Sequence, residues 1–127
     1  MKPHISHGVG AARAYVYGDA SSIALAQALG GEVILALEGR NGAHVELQID
    51  DSVVVIERFD EQRPELRRSA LYVYVPDAVA AFEAAVAAGA QSISPPDVKV
   101  YGERQGELRD DWGNTWYVAT YLGAPPQ

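Results

Sequence analysis

Twice along this chain a strand-like segment runs into an aspartate, a short helical pattern and a glycine stop, and each time three strand-like segments follow. Residues 13–17 alternate as a strand and end at Gly18-Asp19. Asp19 or Ser21 can cap the helical spacing of Ile23, Ala26 and Leu29, which Gly30-Gly31 terminates. Strand patterns over 33–37, 43–49 and 52–58 come next, joined by Gly39-Arg40-Asn41-Gly42 and Asp50-Asp51, both hairpin signals. The order then repeats: a strand over 71–75, a helix over 77–88 with Val79, Phe82 and Val86 on one face, a Gly89 stop, and segments 91–94, 106–109 and 115–121. Asp19 falls on Asp77 and Gly30 on Gly89 with one residue of slip; Ser52 falls on Thr115, the longer loop over 94–104 absorbing the difference. The pattern is an internal duplication of a β-α-β-β-β unit, an α+β arrangement. Module one covers about residues 10–58 and module two about 69–122. The charged, proline-containing stretch 59–68 between them reads as a surface linker.

At 127 residues the chain has the size of one domain, large enough to bury a core without disulfide or metal staples. It has no cysteine, which excludes thiolate zinc sites and cysteine nucleophiles. With 10 Lys and Arg against 17 Asp and Glu, its net charge of −7 argues against a phosphate backbone or an anionic membrane as partner. Its apolar runs are broken well before the roughly 20 residues of a membrane span. No apolar stretch follows Met1-Lys2-Pro3-His4, so a cytoplasmic location is expected.

Two stretches of the second module carry a family resemblance. One is Leu71-Tyr72-Val73-Tyr74-Val75-Pro76-Asp77 running into Ala84-Ala85-Val86-Ala87-Ala88-Gly89-Ala90; the other is Tyr101-Gly102-Glu103-Arg104 leading to Arg109-Asp110-Asp111-Trp112-Gly113-Asn114-Thr115-Trp116. They resemble the glyoxalase, bleomycin-resistance and extradiol-dioxygenase superfamily, the vicinal oxygen chelate proteins. Asp19, Gly30-Gly31 and His44-Val45-Glu46-Leu47 extend the likeness to residues 10–122. The resemblance implies two modules whose sheets curl around one cavity, commonly in a homodimer. It also implies up to four metal ligands, His, Gln or Glu, on the first and last strands of the modules. Those positions fall here on Ala12, Val55, Ala70 and Val118, none of which has a donor atom, so no metal cofactor is expected. A shift of one or two residues offers Ser69, Tyr72, Glu57 or Thr120, of which only Glu57 is a good ligand.

Strand alternation singles out the remaining candidates. With Val45, Leu47 and Ile49 under the helix, His44, Glu46 and Gln48 face the cavity. A histidine and a carboxylate two apart can share a proton, which suits them to acid/base catalysis; an ordinary half-exposed polar face reads the same way. In module two, Tyr72, Tyr74 and Trp116 are expected on the cavity side, the loop containing Tyr101 and Arg104 over its mouth. Arg104 offers a bidentate fork to a carboxylate or phosphate. Asp50-Asp51 and Asp110-Asp111 sit at turns and receive no chemical role. The expectation is a metal-independent binder of a small planar or aromatic molecule. Two enzymes stand as alternatives: a metal-free isomerase or lyase using His44 and Glu46, and a metal-dependent lyase or dioxygenase with other ligands.

Overall fold

The computed structural model describes residues 2–123. After a short 3-10 turn at Ser6–Gly8, module one runs β1 (Ala14–Gly18), α1 (Ala20–Ala28), β2 (Glu32–Glu38), β3 (Gly42–Ile49) and β4 (Ser52–Phe59). Module two runs β5 (Ala70–Tyr74), α2 (Ala78–Ala87), β6 (Gln91–Lys99), β7 (Glu103–Arg109) and β8 (Thr115–Tyr121). The duplicated β-α-β-β-β order is therefore present in full. Each module is a four-stranded mixed sheet, ordered β1-β4-β3-β2 or β5-β8-β7-β6, in which the first strand pairs in parallel with the last.

Local chemistry accounts for the boundaries. Asp19 accepts from the Ser21 amide at 3.0 Å while the Ser22 hydroxyl accepts from the Asp19 amide, closing a capping box on α1. Asp77 caps α2 by accepting from the Ala80 amide at 3.1 Å. Gly30 and Gly89 follow the helices at φ +99° and +108°, the left-handed region that glycine enters without a Cβ clash. Strand β6 continues through residues expected to be loop, to Lys99, with its register shifting between Ser92 and Ser94 and again between Ser94 and Asp97. These irregularities accommodate Pro95 and Pro96, which cannot donate to a ladder.

One core joins the modules. Val45, Leu47, Ile49, Val54 and Ile56 meet Leu25 and Ala26 of α1 and Leu29 just after it, while Leu71, Val73, Leu108, Trp116 and Val118 meet Phe82 and Ala85 of α2, and the two helices pack on each other. The linker lies against Trp112, which stacks on Phe59 with ring centres 5.6 Å apart and carries the Arg68 guanidinium 4.9 Å from its ring centre. Every sheet consequently has one face under a helix and one open face, and the candidate site residues divide between them.

Candidate functional site

The open face of module one carries a chain of alternating charges. The two nitrogens of His44 are taken by two carboxylates: Nδ1 by Glu57, directly across the β3–β4 ladder, and Nε2 by Glu46 at 2.9 Å. Glu46 also accepts from Arg13 Nη1 at 3.1 Å, and Glu57 from the Tyr15 hydroxyl at 2.7 Å. The Arg13 guanidinium is itself fixed, donating to the carbonyls of Ser6, Val9 and Gly10. Hydrogen bonds donated to Glu46 first, and to Glu57, raise the His44 pKa above its ordinary value; the hydrogen bond to Glu57 pushes the Tyr15 phenol up to about 12. With imidazolium and guanidinium facing two carboxylates, the network is charge-balanced when His44 is protonated. In that state the ring has no lone pair for a metal ion and can donate a proton but not accept one. Among the described residues, no group of three or more His, Cys, Asp or Glu is disposed to hold a metal ion.

The open face of module two is aromatic. Tyr72 and Tyr74 both donate to the carboxylate of Glu103, which is only 7% exposed. The Tyr72 ring lies edge-on to Tyr74, centres 5.5 Å apart, and nearly parallel to Tyr117 at 5.9 Å. Burial, first, and the Glu103 hydrogen bond raise the Tyr72 pKa; for Tyr74 the Glu103 hydrogen bond is the larger cause, so both phenols stay neutral at any ordinary pH. Tyr101, half-exposed in the β6–β7 turn, is close enough to act electrostatically on both. Tyr72 and Tyr74 line a cleft of about 440 Å³ whose other walls are the start of β1 and the β3–β4 turn.

Several sequence expectations meet this geometry differently. His44, Glu46 and Gln48 do lie opposite Val45, Leu47 and Ile49, but His44 and Glu57 line a second, shallower cleft beside Phe59 and Arg63, away from the tyrosines. Gln48 turns to the Asp50 carbonyl at 2.9 Å and belongs to neither. Trp116 is fully buried on the helix side, pairing in register with Leu71 and donating to Asp110 Oδ2 at 3.1 Å; it does not line the cavity. Tyr117, one residue on, is the β8 residue that shares the open face, stacked on Tyr72. Arg104 shares the strand phase of Gly106 and Leu108, which face α2, so it lies across the sheet from the tyrosines; Glu103 and Arg104 belong to β7 rather than to a loop over the mouth.

The same phase shift alters the inferred metal positions. Val118 packs in the helix-side core, and the counterpart of Val55, which is paired with Tyr15, is Tyr117, paired with Tyr72. Ala12 and Ala70 line the larger cleft, while Val55 is buried on the open face of β4. Glu103 and Tyr117 escaped the sequence reading of the site. The phase of Gly106 and Leu108, had β7 been extended to residue 103, would have found the first.

No protein-family model matches the sequence, and no curated protein matches it. Solved structures do match. TioX from Micromonospora sp. ML1 superposes with a TM-score of 0.68 at 21% identity over 87% of this chain and 97% of that one. A glyoxalase/bleomycin resistance protein/dioxygenase family enzyme from Burkholderia phytofirmans PsJN gives 0.65 at 18% identity, over 90% and 100%. TnmS3, an antibiotic binding protein from Streptomyces sp. CB03234, gives 0.64 at 18%, over 93% and 98%. This chain has the fold they share.

Proposed function

Starting from the glyoxalase/bleomycin-resistance/dioxygenase fold, we propose that this chain binds a small planar or aromatic organic molecule without a metal ion. The carrying observation is the pair Tyr72 and Tyr74, both held by Glu103 and lining the 440 Å³ cleft, with Tyr117 stacked behind Tyr72. Ring planes fixed in advance offer large contact area at small entropic cost, and the volume falls within the roughly 300–1,000 Å³ of small-molecule sites. The likeness to an antibiotic binding protein supports the same reading. A second copy of the chain completes the cavity in this proposal, covering exposed Tyr15 and Leu37, and the protein works in the cytoplasm. Sedimentation at micromolar concentration is expected to give a dimer.

Calorimetric titration with a panel of aromatic antibiotics and metabolites tests the proposal. Trp112 and Trp116 are both buried in the core, so tyrosine-based or calorimetric readouts serve better than tryptophan emission. Replacing Tyr72 and Tyr74 together by Ala is expected to weaken the best ligand about tenfold or more. Unchanged affinity in that variant would remove the tyrosine wall from the site.

A second reading rests on His44 between Glu46 and Glu57: a protonated imidazole on an open face is a ready general acid for a metal-free isomerase or lyase. It requires products to form from a bound ligand and His44→Ala to abolish their formation while binding persists. A ligand recovered unchanged after prolonged incubation would rule it out for that ligand.

A further inference from the structure

Five of the seven tyrosines lie on or beside the sheet face that carries one carboxylate, Glu103. Besides Tyr72, Tyr74 and Tyr117, Tyr101 stands at the adjacent turn and Tyr121 pairs in register with Glu103. Glu103 is nearly buried, yet its partners are two neutral hydroxyls; Lys99, its cross-strand neighbour on β6, forms no ion pair with it, and neither does any other cation among the described residues. A carboxylate withdrawn from water normally has a positive partner, because hydrogen bonds from neutral groups offset only part of the cost of desolvating a charge. Beside it the electron-rich rings stand edge-on (Tyr72 and Tyr74) and nearly parallel (Tyr72 and Tyr117) to one another. Aromatic faces in that arrangement attract cations.

We infer that the tyrosine face of module two is a cation cage, and that the bound molecule presents a quaternary or protonated amine to Tyr72, Tyr74 and Tyr117 above Glu103. This deepens the small-molecule reading and rests on it. It also reverses the charge preference that Arg104 suggested: the arginine is on the far side of the sheet, and the charge facing the ligand is negative.

Two phenols of one shape separate charge from size: 3-hydroxyphenyltrimethylammonium and its uncharged carbon isostere 3-tert-butylphenol, with 3-hydroxybenzoate as the anionic member. Each is titrated into the intact protein and followed by calorimetry and by the ring-proton resonances of the tyrosines. The cation is expected to bind about tenfold tighter than the isostere, to shift the resonances of Tyr72 and Tyr74, and to lose that advantage in Glu103→Gln, whose folding is checked by circular dichroism. Equal or tighter binding of 3-tert-butylphenol by the unaltered protein would overturn the cation cage and leave an aromatic site standing. Failure of all three probes to bind at millimolar concentration would overturn the cage and count against the tyrosine face as a ligand site of any kind.

Discussion

Asp110 shows how much one turn residue can carry. Its carboxylate is 4% exposed and accepts from the amides of Gly113 and Asn114, from Asn114 Nδ2 and from Trp116 Nε1. Asn114 in turn accepts from the Ser69 amide and donates to the Tyr17 carbonyl, so this turn ties the start of module two to the end of β1. Asp110→Ala leaves several buried donors without a partner and is expected to cost about 3 kcal/mol in urea denaturation. His44 makes a different prediction. Its pKa is raised by folding, so the stability it adds is fully present below the unfolded value near 6.5 and is lost as pH rises through the higher folded value. Urea midpoints are therefore expected to fall between pH 6 and pH 8.5, with a flatter profile in His44→Gln; equal profiles would mean that the carboxylates do not hold the proton.

Among elements, the β3–β4 hairpin sets the geometry of the His44 network, and its close approach depends on Gly42. A Cβ there would stand 1.9 Å from the Arg58 carbonyl oxygen, a backbone atom with little freedom to move. Gly42→Ala is expected to splay the hairpin end, to destabilise by about 2 kcal/mol, and to bring the His44 pKa measured by NMR back toward its ordinary value. The elements themselves were legible where a physical signal marked them. The capped helices, their glycine stops and the hairpin turns all fall where Asp, Gly and Asn placed them. The face assignment of β8 was not legible, because Trp116-Tyr117-Val118-Ala119 is apolar or aromatic in both phases, and a two-residue period cannot choose between them. Parallel pairing with β5 decides it, putting Trp116 beside Leu71 in the core and Tyr117 beside Tyr72 in the open. Residues 103 and 104 were misplaced for a related reason: glycine and proline between 95 and 106 read as loop, while the pairing of β7 with β8 runs on to Glu103.

For the molecule as a whole, the duplication yields two sheets of one topology with opposite surface chemistry. Module one presents an ionic network closed on itself; module two presents aromatic rings beside a carboxylate that has no cation partner among the described residues. No helix among the described residues is long and apolar enough to cross a membrane. Under the proposed function this divergence gives the modules separate duties, His44 and its partners holding a proton and a strand pair together, the tyrosines binding the ligand. Metal-independent binding is the central claim, and the most direct measurement is a calorimetric titration of the best aromatic ligand into the protein before and after exhaustive treatment with chelator. Stoichiometric binding of the same affinity in both samples, with the ligand recovered chemically unchanged, is the expected result. Binding that disappears with the chelator and returns with added metal would contradict it, and would direct attention to Glu46, Glu57 and a deprotonated His44 as ligands.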